Sequence, residues 1–313
     1  MCTRVAVLGG GHGVAAALRA LRGHDLALTV VVTVADDGGS SGELRRRWGG
    51  PAVGDMRRSL IALTGEEEGP GRALAAPVTM AQFGRHPLGN LVLFSLAKAF
   101  GELEAASEWI GGQLGLSACV LPATTRPVTL AAAAGGEVIR GESSVGTAPA
   151  DIERLRFDPE RPEVPPAVLD AIGHADCVLL APGSLFTSVL AVCALPDIAA
   201  ALAQTPARVV WICNLAPEIP ETAGMSAADH LGSLRRHCVR VDAVVYDPAS
   251  QLRFSPAALA AADLPGFAYP LMSEQPHRHD PVLLSAALHD LISARAAAPP
   301  DISARTGAVW CGS

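Results

Sequence analysis

The sequence predicts an α/β protein, Rossmann-like, with a mostly parallel sheet flanked by helices and a small antiparallel insertion. Three observations carry this. Short, almost continuously apolar runs recur at Val5–Leu8, Leu28–Val34, Cys177–Leu180, Val209–Cys213 and Ala243–Tyr246, as strands covered on both faces of a parallel sheet require. Segments of helical period alternate with them, the mark of βαβ units. Four of the strands run into polar or glycine-rich turns: Gly9–Gly13, Asp36–Gly42, Ala181–Ser184 and Asn214 onward. Ligands bind outside the carboxyl ends of the strands in open α/β sheets, so these four turns together mark a candidate site.

In chain order, Val5–Leu8 is the first strand and Val14–Arg22 the first helix, with Val14, Leu18 and Leu21 on one face. Leu28–Val34 closes the βαβ unit. Arg45, Arg46 and Arg47 read as a solvated basic turn. Gly54–Thr64 reads as a helix capped by Asp55. Gly65–Ala76 is acidic and glycine-rich, and reads as a mobile loop. Pro87–Phe100 is a helix entered through Gly89 and Asn90. Between Cys119 and Glu142 the character changes to short strands with Gly135-Gly136 as a hairpin turn, the antiparallel insertion. After Pro-rich Asp158–Pro166 and a short helix at Ala167–Gly173, the strand and helix rhythm resumes. Ser226–His237 is an amphipathic helix, Asp247–Pro270 is irregular, and Val282–Ala296 is the last helix. Residues 1–296 thus read as a single nucleotide-binding domain with its β insertion at about 119–145, and 297–313 as a flexible tail.

The composition excludes several partners. There are 24 basic against 31 acidic residues, a formal net charge of -7, which argues against nucleic acid. A small phosphorylated ligand stays compatible, because backbone N–H groups can hold phosphate with few cations. The seven cysteines show no CxxC pair and read as reduced thiols of a cytoplasmic protein. No apolar run approaches the roughly 18 residues of a membrane span, and the first strand is too short for a signal-peptide core. The expectation is a cytoplasmic chain with a small-molecule partner and no membrane partner, homo-oligomerisation being left open.

Each turn has its own chemistry. Gly10, Gly11 and Gly13 let backbone N–H groups reach a phosphate or sugar at a helix start, and His12 stands where it could touch the ligand. No Gly-Lys-Ser/Thr follows, so this is not a Walker sequence. Asp36 and Asp37 point to opposite sides of an extended segment; one could meet ligand or Mg²⁺ while the other braces the loop, or both could be caps. Gly38, Ser40 and Ser41 supply N–H groups and hydroxyls. Gly183 and Ser184 repeat that logic, and Asn214 could read a base or a hydroxyl. Asp229-His230 suggests acid–base work, but capping and packing explain it better, since no nucleophile elbow accompanies it.

The motifs GGGHG, VTVADDGGSSGELR, GDMRRSLIAL, HPLGNLVL, GESSV, ADCVLLAPGSLFTSVL, CNLAPEIPETAGMSAADH and HRHD occur in an order that resembles the YvcK/CofD-like family, over about residues 4 to 292. The resemblance implies one of two branches. The CofD branch is a Mg²⁺-dependent 2-phospho-L-lactate transferase of deazaflavin cofactor synthesis. The YvcK branch, called gluconeogenesis factor, binds nucleotide-sugars such as UDP-N-acetylglucosamine and is linked to carbon flux, cell-wall precursors and cell shape. GGEVIRGESSV and the Asn214–His230 stretch are similar to the YvcK branch, which implies a binding regulator with no catalytic residue. By resemblance, Gly10, Gly11, Gly13, Asp36, Asp37, Gly38, Ser40, Ser41, Asn90, Gly183, Ser184 and Asn214 fall on ligand-cleft motifs, and Arg278 on a late arginine that meets the nucleotide-sugar. In the transferase branch Asp36 and Asp37 would hold Mg²⁺; the regulator branch implies no cofactor. The chain departs from the family pattern in three places. His12 replaces a usual Thr, Met56-Arg57-Arg58 replaces a usual Ile-Arg-Asn, and Asp247–Pro270 is shorter and less polar.

Overall fold

A computed structural model of the chain describes residues 2–65, 69–80, 84–148 and 152–293. Its strands in chain order are β1 (Thr3–Gly9), β2 (Leu26–Val32), β3 (Pro77–Met80), β4 (Gly84–Pro87), β5 (Cys119–Pro122), β6 (Thr129–Ala134), β7 (Glu137–Arg140), β8 (Ile152–Asp158), β9 (Cys177–Leu180), β10 (Arg208–Ile212), β11 (Ala243–Tyr246) and β12 (Gly266–Ala268). Among the described residues, seven form one parallel sheet in the order β12-β11-β10-β9-β1-β2-β5. The central strands are buried on both faces: β9 and β11 throughout, and β1 from Val5 onward. That is why they read as unbroken apolar runs rather than as alternating ones.

The strand order locates the site. From β1 the chain proceeds outward to β2 and then β5. From β9 it proceeds the other way, to β10, β11 and β12. The direction reverses between the neighbours β1 and β9, which pair from Val5 with Cys177 to Leu8 with Leu180. With right-handed crossovers, the helices after β1 and after β9 must lie on opposite faces of the sheet, which opens a crevice between the two strand ends.

The helices that frame the crevice are α1 (Gly11–Leu21), α2 (Gly39–Trp48) and α3 (Gly54–Thr64). Beyond them come α4 (Gly69–Ala75), α5 (Leu88–Phe100), α6 (Leu103–Gln113) and the short α7 (Glu142–Gly146). β6, β7 and β8 make a separate antiparallel sheet, and β3 pairs with β4 as a hairpin. No single helix among the described residues is long and apolar enough to cross a membrane.

Several expectations need correction. The strand at Cys119 does not belong to the antiparallel insertion; it joins the main sheet in parallel with β2. The insertion instead recruits β8, past the expected boundary, because Thr129–Ala134 needs a partner on each side. The arginine run is helical: Arg46 and Arg47 are exposed, but Arg45 turns inward. Gly65–Ala76 is not all loop, since α4 occupies Gly69–Ala75; part of that stretch, Glu66 to Glu68, lies outside the described residues. Asp247–Pro270 holds a helix at Pro256–Ala261, capped by Ser255, and the edge strand β12. Cys177, Cys193 and Cys213 are buried thiols, whereas Cys2 and Cys119 are exposed. The expected flexible tail, 297–313, lies outside the described residues.

Candidate functional site

At the reversal point the turns after β1 and β9 touch. A Cβ placed on Gly13 would lie 1.7 Å from the Pro182 carbonyl oxygen, so only glycine lets α1 start against the Pro182-Gly183-Ser184 turn. Gly11, the first residue of α1, adopts a left-handed φ of +64°. Asn214, at the end of β10, fixes the second turn. Its Oδ1 accepts the Gly183 N–H at 2.8 Å and its Nδ2 donates to the Gly183 carbonyl at 2.7 Å.

Between these turns lies a cavity of about 310 Å³. Gly10, Gly11, His12 and Gly13 form one wall, and Gly183, Ser184, Thr187 and Ser188 another. Thr33, Asp36, Asp55, Arg58, Glu142 and Glu218 complete it. Ser184 opens a π-helical turn, Leu185–Val189, in which its carbonyl accepts the N–H groups of both Ser188 and Val189. Extra-residue turns of this kind are frequent at functional sites. A larger open groove, about 1060 Å³, runs between Arg19, Arg22, His24 and the helix Pro281–Ser293. It lies where α1 ends and β2 begins, the amino edge of the sheet, away from the strand ends where this architecture binds ligands.

The expected site residues divide into two groups. Gly10, Gly11, His12, Gly13, Asp36, Gly183 and Ser184 line the cavity. Asp37, Gly38, Ser40, Ser41, Asn90, Asn214 and Arg278 do not, and most of them hold the walls in place. Asp37 receives the N–H groups of Glu142 and Ser143 at 3.0 Å each and the Ser143 hydroxyl at 2.7 Å, so it caps α7 from a distance in sequence. Gly38 donates its N–H to Asp36 Oδ1 at 2.9 Å. Ser40 sits between His86 Nδ1 at 2.7 Å and the Asn90 amide at 2.9 Å, and Arg57 donates to Asn90 Oδ1. Ser41 is buried against Gly54. Arg278 is exposed, yet near enough for its charge to disfavour protonation of His12.

Sequence reading missed Thr33, Asp55, Arg58, Glu142, Thr187, Ser188, Glu218 and the adjoining Glu221. Asp55 is not the cap of α3, since Val53 takes that place. Its buried carboxylate accepts the Gly11 N–H at 2.9 Å through Oδ2 and pairs with Arg58 through Oδ1. The signal was there in the i, i+3 spacing of Asp55 and Arg58 directly after a glycine. Arg45 donates to the carbonyls of Ala35, Asp36 and Val128 at 3.0, 2.9 and 3.1 Å, tying the Asp36 loop to the main frame. Asp229 and His230 are a capping and packing pair: Ser226 and Asp229 form a reciprocal capping box, and His230 stacks on Trp211.

Burial and like charge set the protonation of the walls. Burial raises the Asp36 carboxyl above its ordinary range. Glu142 is pushed up to about 7, first by burial and then by Asp36, Asp37, Asp55 and Glu221. Glu221 is also pushed up to about 7 by burial, although its Oε1 accepts the N–H groups of Thr187 and Phe186. His12 is held below its ordinary value, by partial burial first and by Arg58 second. Burial thus weakens the negative charge of Asp36 and Glu142 and biases the His12 imidazole toward its neutral form, beside the Arg58 guanidinium.

Residues 5–267 match the family described as 2-phospho-L-lactate transferase CofD. The chain belongs to the CofD family. It is 35% identical to the Bacillus subtilis protein named gluconeogenesis factor, over 77% of this chain and 78% of that one. It is 36% identical to the gluconeogenesis factor of Halalkalibacterium halodurans over 75% of this chain and 73% of that one. A Deinococcus radiodurans relative is 40% identical over 92% of this chain, which spans 66% of that protein, just under two thirds. The crystal structure of a UPF0052-family protein from Bacillus halodurans superposes with a TM-score of 0.87 at 32% identity, covering 92% of this chain and 99% of that one.

The resemblance to the transferase branch implies Mg²⁺ at Asp36 and Asp37 together, and the two carboxylates do not face one site: Asp36 lines the cavity and Asp37 does not. Both oxygens of Asp37 are engaged by α7, and both of Asp55 by Gly11 and Arg58. Among the described residues, no three of His, Cys, Asp and Glu group to hold a metal ion without help from a ligand.

Proposed function

We propose that this CofD-family chain is a nucleotide-sugar-binding regulator of the gluconeogenesis-factor type. In this reading it is a cytoplasmic protein that acts on carbon flux, cell-wall precursor supply and cell shape. The observation that carries the reading is the convergence of two glycine turns at the reversal point of the sheet. They enclose a cavity whose walls offer N–H groups, hydroxyls and carboxyls, the donors and acceptors that a diphosphate and a sugar require together. The names of the relatives support the regulatory branch. Residues 1–296 act as one binding unit in this reading, with Arg278 reaching the ligand at the cleft mouth.

Isothermal calorimetry against UDP-N-acetylglucosamine is the test. Saturable micromolar binding without turnover is expected, and absence of both heat and thermal shift would reject the reading. Competition among UDP-sugars, GDP and NAD separates a nucleotide-sugar from a dinucleotide ligand. The family description favours a second reading, a phospholactate transferase acting on a deazaflavin acceptor. Product formation that is lost in Asp36→Asn would establish it.

A further inference from the structure

Any phosphorylated ligand entering this cleft meets Asp36, Asp55, Glu142 and Glu218. Opposing negative charge on that scale must be offset by a cation, and two sources are available in principle: a bound divalent ion or a side chain. Among the described residues no three of His, Cys, Asp and Glu group to hold a metal ion, and part of the carboxylate set is engaged within the protein. Asp55 bonds Gly11 and Arg58, Asp37 bonds α7, and Asp36 accepts Gly38. What remains open is the guanidinium. One nitrogen of Arg58, Nη1, is bound to Asp55, and no other of its N–H groups is bonded among the described residues. Arg58 lines the cavity beside the glycine turn, where the first-turn N–H groups of His12 and Gly13 lack helical acceptors.

We infer that Arg58 is the anion anchor and specificity-determining residue of the cleft: it takes the oxygens of a diphosphate directly, together with the first turn of α1, without a divalent cation between them. Asp55 is the positioning residue, because the same carboxylate holds the Gly11 N–H and the Arg58 fork and so keeps the two anion-binding elements in register. A planar fork with free N–H groups suits paired phosphate oxygens, which a lysine would meet only as a point charge. Burial pushes the Glu142 carboxyl up to about 7, which weakens its part of the opposing field near neutrality. The inference rests on the reading of the cleft as a phosphate-ligand site but not on the identity of the nucleoside or sugar.

The test is calorimetry with inorganic pyrophosphate and, separately, UDP-N-acetylglucosamine, in excess EDTA and again with Mg²⁺. It compares the wild type, Arg58→Lys and the double variant Asp55→Asn/Arg58→Gln, which leaves no unpaired buried charge. Circular dichroism and melting establish that each variant is folded. The wild type should bind pyrophosphate in EDTA, with Mg²⁺ changing the affinity by less than about threefold. Arg58→Lys should bind about tenfold more weakly, and the double variant about 100-fold more weakly. A strict Mg²⁺ requirement, an unweakened folded double variant, or no pyrophosphate binding by the wild type would overturn the anchor. Pyrophosphate binding without UDP-sugar binding would keep the anchor and reject the proposed function. UDP-sugar binding that survives the double variant would do the reverse.

Discussion

Asn214 and Gly183 hold each other through a reciprocal pair of hydrogen bonds, at 2.8 and 2.7 Å, that joins the end of β10 to the turn after β9. An asparagine can do this because its amide carries both an acceptor and a donor in one plane. Asn214→Asp keeps the acceptor but sets a carboxylate oxygen against the Gly183 carbonyl. Urea unfolding should show a loss of roughly 2 kcal/mol. Calorimetry should show weakened ligand binding as the turn loosens. Unchanged values for both would make the pair incidental.

Two neighbouring glycines should differ sharply. Gly13→Ala drives a Cβ into the Pro182 carbonyl at 1.7 Å, a collision of backbone with side chain that no rotamer relieves. It should abolish binding and cost at least about 3 kcal/mol, if the protein folds at all. Gly11→Ala meets nothing closer than 3.5 Å and suffers only its left-handed φ of +64°. It should cost roughly 1–2 kcal/mol and leave a folded protein. Equal melting losses would refute the contact argument.

Glu221 makes stability depend on pH. The residue is 2% exposed, and its Oε2 has no hydrogen-bond partner among the described residues. It ionises near 4.5 in the unfolded chain and about 7 in the folded one. Between those values the folded state holds the extra proton, so stability falls as pH rises, by roughly 3 kcal/mol across the window. Below pH 4.5 the penalty is absent, and above about 7 it is complete. Glu221→Gln keeps an acceptor for the Thr187 and Phe186 N–H groups and has no charge to bury. Its melting curve should be flatter between pH 5 and 7.5 and higher at pH 7.5, with Glu142 supplying the remaining slope. Parallel curves for variant and wild type would contradict this.

The Asp229-His230 pair should prove structural. Asp229 Oδ2 accepts the Ser226 N–H at 2.8 Å, and the Ser226 hydroxyl accepts the Asp229 N–H at 3.2 Å. Ser226→Ala should lower stability by about 1 kcal/mol and leave the ligand dissociation constant unchanged. A large binding defect in a folded variant would return the pair to the site.

The fold was legible because both faces of the central strands are buried, which forces continuous apolar runs such as Cys177–Leu180 and Ala243–Tyr246. The turns were legible because left-handed backbone and close approach admit few residues other than glycine. Partner strands were less so. Cys119–Pro122 pairs with β2, but nothing in those residues distinguishes a parallel edge from an antiparallel insertion.

By itself, the sequence determined the α/β rhythm, the glycine turns and the edge of the sheet at which a ligand would sit. All of these are local: a periodicity, a φ angle, a strand end. Tertiary structure alone decided which polar groups face the cavity and which brace it. Asp36 and Asp37 are adjacent in sequence, yet one lines the cleft and the other caps α7 some hundred residues later. Asp55 and Arg58 enter the wall only because α3 packs against α1, which brings the carboxylate to the Gly11 N–H. Hydrogen bonds between distant segments use up donors and acceptors. What is left over to meet a ligand depends on partners brought together by folding, and these no local sequence pattern encodes.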